Sequence, residues 1–129
     1  MQMPVIPDDF LDVAINYGAA CDEIQLRNSV SRAYYAGYLH TIQKINESKI
    51  LLSGAPSGMH DKLINSLNAN MCGALCGGMT PLKQLELAGM LKMVKQLRTK
   101  ADYKLDDTVN QSDKDTAIDI AAEIIKFLP

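Results

Sequence analysis

Residues 22–47 read DEIQLRNSVSRAYYAGYLHTIQKINE, a stretch from Asp22 to Glu47 without a proline, and its periodicity decides the fold. Asp22 and Glu23 put negative charge where a helix has its positive end. On a wheel of 3.6 residues per turn, Val30, Ala33, Tyr34, Gly37, Thr41 and Ile45 form one face, while Tyr35, Leu39 and Ile42 lie on another. The spacing predicts one long helix, apolar on two sides. Such a helix runs through the centre of a bundle or turns its second face to another subunit.

Outward from this helix the chain reads as helices and turns. Pro4 and Pro7 punctuate the start, Asp8 or Asp9 is placed to cap a helix, and Phe10, Val13, Ala14 and Tyr17 recur at helical spacing up to Gly18. On the other side, Ser53-Gly54-Ala55-Pro56-Ser57-Gly58 reads as a loop. A third helix is expected from His60 to about Cys76, carrying Leu63, Ile64 and Leu67. Gly73, Gly77 and Gly78 then fray or bend it, since each glycine costs a helix about 1 kcal/mol relative to alanine. Thr80 as cap and Pro81 at the first helical position open a fourth helix along Leu82, Leu85, Ala88, Leu91 and Val94, ending near Lys104. Asp106 to Ser112 is polar, and Ser112 or Asp113 suits the cap of a last helix with Ile118, Ala121, Ala122 and Ile125 inward. No stretch asks for a strand. The expected fold is all-α, a four- or five-helix up-and-down bundle forming one domain over residues 1–129.

Composition narrows the function classes. Apolar residues at 47% with 22% charged describe a globular domain rather than a disordered chain. No run approaches the roughly 18 apolar residues of a membrane span, and Met1-Gln2-Met3-Pro4 lacks the basic-then-apolar pattern of a secretory signal. Three cysteines, an odd number, argue against a disulfide framework, so Cys21, Cys72 and Cys76 are expected as small core residues of a cytoplasmic protein without a membrane partner. Cys72 and Cys76 are four apart, but zinc wants four ligands and no matching pair follows, so no metal or other cofactor is expected. No glycine-rich phosphate loop opens a helix, and no nucleophile elbow is present.

A net charge of −2 gives no global attraction to nucleic acid, so RNA binding would need a local basic patch. One exists. Lys92, Lys95, Arg98, Lys100 and Lys104 hold five of the chain's thirteen basic residues, and Lys92, Lys95 and Arg98 advance three at a time along one side of a helix. That row could follow phosphates, or it could be a solvated face suited to the negative helix end. Arg98 and Asp102 are four apart and can pair. Arg32 is a further candidate for binding RNA or a partner. His40 follows it on the long helix, about 80° around, and reads as a histidine at the core edge unless another helix brings it to Arg98 or His60.

Three segments, Ser31-Arg32-Ala33-Tyr34-Tyr35-Ala36-Gly37-Tyr38-Leu39-His40, Met59-His60-Asp61-Lys62-Leu63 and Leu97-Arg98-Thr99-Lys100-Ala101-Asp102-Tyr103, resemble in order and spacing the small all-helical HEPN family (higher eukaryotes and prokaryotes nucleotide-binding) over residues 22–127. The resemblance implies a protein of a toxin–antitoxin or phage-defence system that binds or acts on RNA, often paired with a nucleotidyltransferase. Nuclease members carry a histidine four to six residues after the arginine. Here the corresponding position is Tyr103, no histidine follows His60, and the ending looks like the branch with Arg-x-x-x-Asp-Tyr. Tyrosine, with an ordinary pKa near 10, is a poor general base at neutral pH. Metal-independent cleavage of RNA would therefore be weak or absent, with Arg98, Asp102, Tyr103 and His40 as candidate catalytic residues and Arg32, Lys92, Lys95 and Lys100 as candidate contacts. The alternative is a non-catalytic helical adaptor whose grooves hold a protein or nucleotide. Tyr35, Leu39 and Ile42 are the expected contact of a homodimer, because the second apolar face of the long helix needs a cover.

Overall fold

The structure, a computed structural model, describes residues 6–17, 22–52 and 58–129. Within them five helices form an all-α bundle: α1 (Pro7–Tyr17), α2 (Glu23–Glu47), α3 (Met59–Asn68), α4 (Pro81–Tyr103) and α5 (Gln111–Phe127). No strand occurs among the described residues, and none of their helices is long and apolar enough to cross a membrane. Cys21, Gly18 and the expected loop at Ser53–Ser57 lie outside the described residues.

The central helix is the one its period predicts. Val30, Ala33, Tyr34, Gly37, Thr41 and Ile45 are all buried, as is Tyr38. Gly37 lets α2 approach α5, since a Cβ there would sit 3.1 Å from the end of Ile124. The second face is partly covered within the same chain. Phe10 of α1 lies against Tyr35 with ring centroids 6.4 Å apart, the Ser29 hydroxyl donates to the Ala14 carbonyl at 2.5 Å, and Leu39 and Ile42 are half-buried beside them. A shallow apolar groove of about 280 Å³ remains between the two helices, lined by Ile6, Phe10, Leu39 and Ile42.

Consecutive helices alternate in direction except at one step. Ala14 against Ser29 and Phe10 against Tyr35 make α1 and α2 antiparallel. The pairings Arg27 with Ala101 and Tyr34 with Arg98 do the same for α2 and α4. Asp61 with Lys95 and Asn70 with Gln84 set α3 against α4. It follows that α3 runs in the same direction as α2, so the up-and-down order lapses at that link. The consequence is functional: the first turn of α3 is carried back to the middle of α2, where the tyrosines are.

The helix ends depart from the sequence reading in instructive ways. α3 stops at Asn68, well short of Cys76, because Asn70 adopts the left-handed conformation (φ 57°) while the amides of Asn70 and Met71 reach back to the carbonyls of Leu67 and Ser66. This is a Schellman closure with asparagine in the glycine position. α2 ends the same way on Lys49 (φ 55°), with the Ile50 amide on the Ile45 carbonyl. The glycine-rich segment forms a 3₁₀ turn, Leu75–Gly77, in which Cys76 has φ 52° and is exposed, while Cys72 is buried as expected. Buried Gln84 holds this connection, accepting from the Cys72 amide and donating to Asn70 and to the Met79 carbonyl.

At the remaining starts, Thr80 caps α4 with Pro81 behind it. Asp9 accepts from the Ile6 amide from within the first turn of α1. α5 is capped by Asn110 instead of Ser112 or Asp113, because Asn110 and Asp113 form a reciprocal capping box. Two expected apolar stripes are also rotated. On α4 Gln84, Leu87, Ala88, Leu91, Val94 and Ala101 are buried whereas Leu82 and Leu85 are exposed. A strict three-residue step drifts by about 60° each time, so that stripe could not stay on one face. On α5 the inward set is Ala117, Ala121 and Ile124, with Ile118 and Ile125 half-buried and Ala122 exposed.

Candidate functional site

Three helices meet around an aromatic cluster. α2 contributes Ser31, Tyr34, Tyr35 and Tyr38, whose steps of three, four and seven residues line one stripe. α3 contributes His60 from its first turn, and α4 contributes Lys95, Arg98, Asp102 and Tyr103. The His60 ring stacks on Tyr38 with centroids 4.1 Å apart and on Tyr34 at 5.4 Å, while Tyr34 and Tyr38 lie nearly parallel at 5.8 Å. Tyr35 meets Tyr34 edge-on at 5.2 Å.

The Tyr34 hydroxyl is hydrogen-bonded to His60 Nδ1. His60 titrates below its ordinary value because burial and the charges of Arg98 and Lys95 disfavour the imidazolium, and Asp61 only partly offsets them. Burial and these charges favour the neutral ring, in which one nitrogen donates and the other accepts, so Nδ1 either accepts from the Tyr34 hydroxyl or donates to it. The Tyr38 phenol is pushed up by burial and by neighbouring Tyr35, and stays neutral.

Arg98 lies across these rings. Its guanidinium carbon is 4.9 Å from the Tyr34 centroid, 5.9 Å from Tyr35 and 5.6 Å from Tyr103, within cation–π range of all three. Its side chain is 12% exposed, yet its one ion pair among the described residues is loose, 3.8 Å to Asp102, which also accepts from Ser31 at 3.3 Å. The Nε is buried without a partner. Among the described residues none of the five guanidinium donors makes a hydrogen bond.

Beside it runs a groove of about 550 Å³ between α3 and α4, lined by Asp61, Asn65, Lys92, Lys95, Lys100 and Lys104 among others. The lysine row of the sequence does share one wall. Two of its members are engaged: Lys95 pairs with Asp61, and Lys100 pairs with Asp113 at 2.9 Å. Lys92 and Lys104 form no ion pair among the described residues and face solvent. The Lys95 ammonium, by hydrogen bond and charge, holds Asp61 below the usual carboxylate range.

Of the candidate residues, the structure thus gathers Arg98, Asp102 and the mostly exposed Tyr103, while Lys92, Lys95 and Lys100 line the α3–α4 groove, to whose lining those three do not belong. His40 does not join. Its Nε2 is 2.6 Å from the Leu128 carbonyl, so it tethers the end of α5. Arg32 is exposed beside Asp9, Phe10 and Val13, on the α1 side. The histidine of the site is His60, from a different helix than Arg98, which no single-helix motif can reveal. Among the described residues no three His, Cys, Asp or Glu side chains gather as a metal site.

The sequence reading also missed Arg27. It is 6% exposed, and its two terminal nitrogens donate to the carbonyls of Lys100, Ala101, Lys104 and Asp107, closing the end of α4 just below the site.

Compared with known proteins, the chain matches no family model, no curated protein and no solved structure.

Proposed function

We propose that this chain is a HEPN-like helical protein that binds RNA along the α3–α4 groove, with Arg98 at the head of the site. The observation that carries the reading is the groove wall with four lysines, on the helix that also holds Arg98 nearly buried on three tyrosine rings with a loose ion pair to Asp102. The groove supplies charge locally that the whole chain, at −2, does not. Tyr103, exposed at the mouth, gives a base a face to stack on. The proposal is for binding. Its setting, a toxin–antitoxin or phage-defence pair with a nucleotidyltransferase, follows from the resemblance and is tested by co-purification from a co-expressing cell.

The direct test is fluorescence anisotropy with a labelled RNA oligonucleotide over a series of salt concentrations. Affinity should fall with salt, and Lys92→Gln/Lys104→Gln should flatten that dependence by roughly one unit of slope per lost phosphate contact. Arg98→Met should weaken binding about tenfold or more while the circular dichroism spectrum is kept. RNA binding that is absent at low salt, or equal in all these variants, removes the proposal.

A further inference from the structure

Two side chains meet on the Tyr34 ring, each with nitrogens in no hydrogen bond among the described residues, although Arg98 keeps its loose ion pair to Asp102. Arg98 spreads over one part of the ring at 4.9 Å and makes no hydrogen bond, while His60 stacks at 5.4 Å with Nδ1 occupied by the Tyr34 hydroxyl. His60 Nε2 makes no hydrogen bond among the described residues, and the ring is only partly buried. With the Tyr34 hydroxyl donating to Nδ1, one of the two directions this contact allows, the imidazole proton is held on Nε2. We propose that Arg98 and His60 form a site for one phosphate group, Arg98 through its terminal nitrogens and His60 through Nε2–H, with Tyr34 as the positioning residue. The site rests on the RNA reading only for its natural ligand, since the chemistry is that of any phosphate, free or in a strand.

The site should also take up a proton when it fills. Around His60 stand Tyr34, Tyr35 and Tyr38 from α2, Lys95 and Arg98 from α4, and Asp61 on its own helix. The two cations repel a proton, and Asp61 is already paired to Lys95. A bound anion cancels part of that repulsion. Binding and protonation of His60 are then linked: the anion binds more tightly as pH falls through the His60 midpoint, and the midpoint rises when the anion is present. The second proton on the ring goes to Nδ1, so the Tyr34 hydroxyl must turn from donor to acceptor in the protonated form.

The experiment follows the His60 and His40 imidazole resonances by NMR against pH, with no oxyanion, with inorganic sulfate and with inorganic phosphate. Sulfate keeps its charge over this range, so its effect is not its own titration. Either anion should raise the His60 midpoint by about half a pH unit or more and leave His40 unchanged. In Arg98→Gln and Arg98→Lys the rise should vanish or fall by more than half, and Tyr34→Phe should reduce it while retaining some. A His60 midpoint that ignores both anions, or a rise equal in the wild type, both Arg98 variants and His40, overturns the site. An RNA arm separates the two proposals. RNA that binds without moving His60 defeats this site and leaves the groove reading, whereas anions that move His60 in a chain that binds no RNA defeat the groove reading and leave the site.

Discussion

The molecule holds two nearly buried arginines against the same stretch of α4, and they are opposites. Arg27 reaches from α2 to the end of α4 and spends its terminal nitrogens on four carbonyls, with its Nε 3.4 Å from Glu23. Arg98, less than one turn from the first of those carbonyls, makes no hydrogen bond and rests on aromatic faces. In place of the hydrogen bonds that Arg27 makes, Arg98 has a loose ion pair to Asp102 at 3.8 Å and three tyrosine rings. The contrast separates an arginine whose head group ties two helices together from one that the proposed function assigns to an anion.

The sharpest way to break this comparison is to remove each head group and keep the stem. Arg27→Met takes the side-chain donor from the carbonyls of Lys100, Ala101, Lys104 and Asp107, of which Lys100 and Lys104 keep a backbone amide, and should cost about 2–3 kcal/mol in chemical denaturation. Arg98→Met removes no hydrogen bond, keeps an apolar stem against Tyr34, and should change stability by less than about 1 kcal/mol in either direction. Equal losses in the two variants would show that Arg98 is structural after all.

A smaller effect comes from the same corner. Asp113 closes the start of α5 through its capping box and also receives the Lys100 ammonium, so one carboxylate ties α5 to the end of α4. Burial would raise its pKa, but the Lys100 bond, the Asn110 amide and the Lys100 charge outweigh burial and hold it below the ordinary value. A carboxyl with a depressed folded pKa contributes stability above its unfolded pKa and loses it as pH falls through the folded one. Asp113→Ala should therefore cost about 1 kcal/mol at pH 7, and the gap to the wild type should close as the pH is lowered below about 4. A gap that persists undiminished at pH 2.5 would mean that the carboxylate charge plays no part.

How much of this could be read from the chain depends on where each partner sits. The inner face of α2 was legible because its period is a property of one segment, and Thr80-Pro81 was legible because cap and first turn are neighbours. Arg27 gave no signal, its acceptors being 73 to 80 residues away. The lysine wall and the Arg98–Asp102 pair were legible on one helix, but His60 reaches Arg98 only because α3 runs parallel to α2. His40, the nearer histidine in sequence to the tyrosines, points to Leu128 instead. The early end of α3 had a readable cue in Asn70, a residue that tolerates the left-handed conformation. Lys49 had none.

That position gives the smallest and most local test. The C-terminus of α4 is closed by a side chain from another helix, whereas that of α2 is closed by its own backbone, through Lys49 on Asn46 and Ile50 on Ile45 at 3.1 and 3.2 Å. Lys49 holds the left-handed conformation at a cost of about 1–2 kcal/mol for an ordinary residue, and glycine removes that cost while returning about 0.4–1 kcal/mol of freedom to the unfolded chain. Lys49→Gly should thus stabilise the protein by about 0.5–1 kcal/mol. Asn70→Gly, at the matching position of α3, should instead lose about 1 kcal/mol, because asparagine already accommodates the turn and its side chain accepts from the buried Gln84 amide at 2.6 Å. Denaturation midpoints of the two variants against the wild type read both effects. A loss of stability in Lys49→Gly would mean that the lysine side chain, and not the backbone, closes α2, and the contrast between the two helix ends would fall with it.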